Sequence, residues 1–251
     1  TASTTTFTGA TTHACSGAGS SQFATLLTSN ETINAGSCDL RISGIWTHGS
    51  GGIFNQGTST VTFNGTGAQT QPTTTYVPQF YNLTINKSGG TMSASRVWTV
   101  TNDFLFTSGT LTPDVASSFK NVALNGGTFT APAGNINVSG SWTLDGGTFT
   151  PGTGTVTFNG SASQSIGGST ATTFYNLTLN NAAGAALGAN TTVSNTLTFT
   201  NGKITTGANT LIIGSAGTAV SGAGAGKYVY GNMQKTFAAL APGYLFAVGD
   251  A

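Results

Sequence analysis

Charge is what this chain most lacks. Lys, Arg, Asp and Glu together make up 5% of its 251 residues, against about a quarter in ordinary soluble domains. With seven Lys and Arg scattered along the length and a net charge of +1, there is no basic stripe to neutralise phosphates, which excludes nucleic acid as an expected partner. Long apolar runs are missing too. The most hydrophobic stretch, FAALAPGYLFAV at residues 237–248, is broken by Pro242 and Gly243, and no membrane span of about 18 residues is predicted. Helical periodicity is nearly absent: one stretch, residues 21–29 with Phe23, Leu26 and Leu27, predicts a short covering turn over the first coil. No CxxC pair, nucleotide-binding loop, HExxH pair or acidic calcium repeat occurs, so no metal and no cofactor is expected. The chain has no initiating Met and starts on the polar TASTTTFTGA, as expected of a mature exported chain whose targeting segment has been removed.

What the chain does have is repetition. Residues 124–140 (LNGGTFTAPAGNINVSG) return as residues 144–160 (LDGGTFTPGTGTVTFNG), an offset of about 20, too short for either copy to bury its own apolar side chains. A longer period of about 95 is superimposed: residues 51–65 match 146–160, residues 80–86 (FYNLTIN) match 174–180 (FYNLTLN), and residues 102–109 match 195–202. A block of several coils has been duplicated. Within each unit apolar residues alternate, as in Thr60-Val61-Thr62-Phe63, Asn135-Ile136-Asn137-Val138 and Thr155-Val156-Thr157-Phe158, the signature of short strands with one buried face. Asn64-Gly65, Asn125-Gly126-Gly127, Asn159-Gly160 and Asn201-Gly202 punctuate the strands and are expected to supply positive φ at tight corners.

These patterns predict an all-β fold, a parallel β-solenoid with coils of about 20 residues in which Phe129 stacks on Phe149, Ile136 on Val156 and Val138 on Phe158. Two tandem β-sandwich domains, one per long repeat, are the structural alternative, because Asn-Gly also suits a two-residue hairpin. Against it, Asn159-Gly160 is followed by the polar Ser161-Ala162-Ser163-Gln164-Ser165 rather than by an apolar strand. The expected organisation is an N-terminal cap and candidate donor strand at residues 1–29, a solenoid at 30–225 containing the duplicated block (about 43–112 and 139–207), and C-terminal strands at 226–251 completed by a partner or by further chain. Cys15 and Cys38 lie about one coil apart, and a disulfide between them is predicted, two separately buried thiols being the alternative.

The blocks GTGTVTFNG, FYNLTLN and TLTFTNGKITTGANTLIIG resemble the repeat regions of large secreted bacterial surface proteins, the adhesin-like β-solenoids of Bacteroidota and related groups. The resemblance covers most of the chain and implies architecture and an extracellular or cell-surface location. In such proteins a segment like residues 226–231 followed by 245–250 leads into further strands, whereas this chain stops at Ala251.

Chemistry is harder to find. Solenoid enzymes that cut polysaccharides need carboxylates brought together from neighbouring coils, yet a shift of one coil carries Asp145 onto Asn125, Asp114 onto Pro132 and Asp103 onto Asn121. His13 and His48 lie far apart with no nucleophile singled out beside them. Trp46, Trp98 and Trp142 are read as core anchors before sugar platforms. Sequons at Asn30, Asn64, Asn82, Asn86, Asn137, Asn159, Asn176 and Asn190 permit N-glycosylation. The apolar, near-terminal Tyr244, Leu245, Phe246 and Val248 are expected to meet a neighbouring subunit. The reading that follows is a secreted, non-catalytic structural protein of a cell-surface layer or self-assembling filament, associating head to tail. The alternatives are a glycan-binding adhesin or an ice-binding protein, the latter suggested by Thr155-x-Thr157 but interrupted by Asn135 and Asn137 one coil earlier. A polysaccharide-degrading enzyme stands behind both.

Overall fold

The structure, a computed structural model, describes residues 3–6, 12–15, 20–28, 31–48, 51–70, 79–94, 96–113, 116–215, 219–237 and 246–249. Among these residues there is no helix, and every strand-to-strand pairing is parallel. The chain is a β-solenoid. Parallel pairing throughout excludes tandem antiparallel sandwiches, and Asn159-Gly160 marks a corner rather than a hairpin.

Each turn contributes rungs to three ladders. Ladder one stacks Leu40, Val61, Leu83, Phe104, Val122, Trp142, Ile166 and Leu187 on one another. Ladder two stacks Leu26 on Trp46 and, further along, Met92, Leu111, Phe129 and Phe149. Ladder three runs through Phe80, Val100, Phe119, Val138, Phe158, Leu179 and Phe199. Coil length varies from 18 residues, between Phe104 and Val122, to 25, between Ile204 and Val229. Because alternate residues of a strand point to opposite faces, each rung sends its apolar side chains into a single core. Leu83, Phe104, Phe129, Val138, Trp142 and Phe158 are all fully buried. The expected partners Phe129 and Phe149, Ile136 and Val156, and Val138 and Phe158 meet as predicted.

The 95-residue duplication does not span a whole number of turns. The first copy places Val61 and Leu83 on ladder one, whereas their counterparts Val156 and Leu177 lie on ladder three. Trp46 on ladder two corresponds to Trp142 on ladder one. The copied block is thus four and two-thirds turns long, and its second copy is rotated by one face about the axis. Its core survives the rotation: Trp46 packs edge-on against Phe54 (5.1 Å between centroids) and Phe80 (6.0 Å), as Trp142 does against Phe149 (4.8 Å) and Phe174 (5.3 Å).

Two expectations need correction. The stretch read as a helical turn is a strand, Ser20–Thr28, whose first half lies on ladder one and second half on ladder two. The corner between them breaks the alternation and imitates a helical spacing of Phe23 and Leu26. Of the Asn-Gly corners, Gly127 and Gly202 have positive φ, but Gly65, Gly126 and Gly160 do not. Gly65 and Gly160 are required for another reason: a Cβ there would strike the carbonyl oxygens of Ser43 and Ser139 one coil away.

Candidate functional site

The described parts of residues 1–29 belong to the stack: Ser3–Thr6 pairs with Ser20–Thr28, and Thr12–Ala14 pairs with Thr32–Asn34. Cys15 and Cys38 form a disulfide with Cα atoms 6.3 Å apart. It closes a loop of 23 residues, a constraint on the unfolded chain equivalent to about 3 kcal/mol. Next to it a cleft of about 440 Å³, lined by His13, Cys15, Phe23, Leu26, Ile33 and Leu40 among others, opens at the first coils.

Candidate chemical residues are dispersed. Asp39 accepts from Arg41 (2.8 Å). Asp103 lies opposite Asn121, as expected, and accepts from its side chain at 2.9 Å. Asp145 accepts from the Ser169 N–H at 2.9 Å. Asp114, Asp250 and the side chain of His48 fall outside the described residues. Among the described residues no group of three His, Cys, Asp or Glu side chains is placed to hold a metal ion, and no helix is long and apolar enough to cross a membrane. Trp46, Trp98 and Trp142 are buried in the core.

The sequons divide by environment. Asn82 and Asn176 are half-buried in amide ladders, accepting from Asn102 (3.0 Å) and Asn195 (2.8 Å) on the next coil. Asn64 and Asn137 are also half-buried, whereas Asn86, Asn159 and Asn190 are exposed. Asn30 lies outside the described residues, as do Tyr244 and Leu245. Phe246 and Val248 are described and exposed, and Val248 forms a parallel bridge to Val229 at the last rung of ladder one.

The most elaborate polar arrangement is one that periodicity did not reveal. Gln69, in a segment that reads as an exposed polar loop, is buried. It donates from Nε2 to the carbonyls of Ile42 (2.9 Å) and Gly44 (2.6 Å), and its Oε1 accepts from the Gly65 N–H (2.9 Å). Gln164 repeats this in the second copy with Val138 (2.8 Å), Gly140 (2.6 Å) and the Gly160 N–H (3.0 Å). One carboxamide thus joins three strand ends at the corner, where Ile42 O and Val138 O also accept from the Asn64 and Asn159 N–H groups (3.0 Å each), in a core where an unmet polar group is costly. The next coil closes each corner with a second donor. In the first copy it is the buried Lys87 amine, within reach of Gly65 O (3.0 Å), Gly67 O (2.7 Å) and Gln69 Oε1 (2.7 Å). In the second it is Asn181 Nδ2, facing Ala162 O (2.7 Å) and Gln164 Oε1 (2.9 Å). Burial pushes the Lys87 amine below the ordinary lysine value of 10.5. The signal for these corners was the conserved 95-residue spacing of the two glutamines, which matches that of Gly65 and Gly160.

No protein-family model, no curated protein and no solved structure matches this chain. The fold is a β-solenoid, which is consistent with a structural or adhesin-type protein, and it defines no narrower class.

Proposed function

We propose that this chain is a rigid element of a secreted structural protein, serving in a cell-surface layer or extracellular filament without catalysis. The observation that carries this reading is the allocation of side chains: aromatics fill the core, buried amides and one amine stitch the corners, and Asp39, Asp103 and Asp145 each bond to nearby polar groups or backbone. Support for an oxidising, extracellular setting comes from the Cys15–Cys38 disulfide. Support for end-to-end association comes from the two ends of the described stack: an apolar-lined cleft at the first coils, and exposed Phe246 and Val248 beside the last rung. Open strand edges with apolar neighbours invite a further strand. Sedimentation and electron microscopy of the purified chain test the reading. Concentration-dependent rods, shortened by Phe246→Asp with Val248→Asp, are expected. A monomer unchanged at high concentration would overturn it.

A further inference from the structure

One face carries a pattern that neither core nor corners require. On four consecutive coils of ladder two the sequence reads Gly90-Thr-Met-Ser, Gly109-Thr-Leu-Thr, Gly127-Thr-Phe-Thr and Gly147-Thr-Phe-Thr. The structure stacks them in register. Thr91, Thr110, Thr128 and Thr148 form one column, and Met92, Leu111, Phe129 and Phe149 form the buried column beside it. Beyond that, Thr70 pairs with Ser93, Ser93 with Thr112, and Thr130 with Thr150, giving a second outward column. The four leading glycines all have positive φ, so each coil enters the face through the same corner and presents its hydroxyls alike.

The result is a two-column grid. Its spacings are set by the sheet: about 4.8 Å between coils and about 6.7 Å between alternate residues of a strand, close to the oxygen repeats on the faces of hexagonal ice. Threonine suits such a grid because its branched side chain has few rotamers to lose. Among the described residues these hydroxyls make no hydrogen bond, whereas Thr62 donates to Asp39 (3.5 Å), Thr107 to Ile85 O (3.2 Å) and Ser194 to Phe174 O (3.1 Å). Neither column holds a charged or aromatic residue. A crystalline polysaccharide would be met by exposed rings, and neither column of this face supplies one.

We propose that this face binds the ordered water lattice of ice, its hydroxyls and methyl groups engaging the crystal surface as one rigid array. A preformed sheet loses little conformational freedom on contact, so many weak contacts add up. The Thr155-x-Thr157 strand on ladder three, over Asn137, is not part of this grid.

The purified chain should be taken up into slowly growing ice and should facet a single crystal held just below its melting point. Thr128→Lys, at the centre of the grid, should reduce uptake by at least about tenfold. Thr143→Lys, on ladder one between Ala123 and Gly167, should leave uptake unchanged, with circular dichroism melting reporting whether both variants fold. Exclusion of the wild-type chain from ice would overturn the proposal. So would equal uptake of Thr128→Lys, equal loss in Thr143→Lys, or a Thr128-dependent affinity for crystalline cellulose or chitin in place of ice. The readout is taken on the monomer and is independent of end-to-end assembly.

Discussion

The two copies of the duplicated block close the same corner with different chemistry. In each, a buried glutamine joins two carbonyls and one N–H of adjoining coils. In the first the remaining oxygens face the amine of Lys87, and in the second the carboxamide of Asn181. The glutamine, held through the duplication and a rotation by one face, is the invariant device of the fold. Its partner need only donate hydrogen bonds. A charge there is a liability that the surrounding carbonyl dipoles offset, because no fixed anion shares the corner among Lys87's bonded partners.

Removing the glutamines separates the copies most strongly. Gln69→Leu strips the Lys87 amine of one acceptor and removes the bonds to Gly44 O and the Gly65 N–H, while Ile42 O keeps the Asn64 N–H, which should cost about 3 to 5 kcal/mol. Gln164→Leu leaves only neutral groups unmet and should cost about 2 to 3 kcal/mol. Hydrogen exchange is the suitable measurement, since a solenoid opens locally rather than as one unit; loss of protection should centre on the coils flanking each corner. Equal effects would remove the distinction between a charged and a neutral closure.

A smaller difference should appear with pH. The Lys87 amine holds its proton less tightly when folded than the unfolded chain does at its ordinary value of 10.5. Between the folded value and 10.5 the unfolded state therefore binds more protons, and stability rises with pH. Below the folded value the burial penalty is present in full, and above 10.5 the curve is level. Lys87→Met should flatten this rise when urea melts of the two proteins are compared from pH 7 upward. An identical rise in the variant would assign it to other groups.

The smallest contrast concerns tryptophan. Trp142 donates from Nε1 to Thr172 at 3.3 Å, whereas the Nε1 of its counterpart Trp46 is buried without an acceptor. Thr172→Val should cost about 1 kcal/mol by thermal melting and bring the second copy to the condition of the first.

Much of this architecture was legible because apolar residues recur at the coil length. Phe129, Ile136 and Val138 pointed to their partners without ambiguity. The one-face rotation was not legible, since coils vary between 18 and 25 residues and a period of 95 gives no phase without a count of the corners. The buried glutamines were hidden by their company: Ser161-Ala162-Ser163-Gln164-Ser165 looks like a solvated loop, and only tertiary stacking shows that one polar side chain in it points inward. The threonine grid was missed for the opposite reason. Thr155 and Thr157 stand out in the sequence, yet Thr157 stacks on Asn137 on one side and Thr155 on Asn176 on the other, while residues 127–130 and 147–150 advertise their phenylalanines first.

The central claim is that Asn159-Gly160 turns a solenoid corner and that the strand before it stacks in parallel on the previous coil. Cysteine pairs with a short bifunctional crosslinker address it directly. Asn137→Cys with Thr157→Cys, register partners on ladder three, should crosslink rapidly, whereas Thr157→Cys with Ala162→Cys, which would face each other across a two-residue hairpin, should not. The reverse outcome would contradict the account.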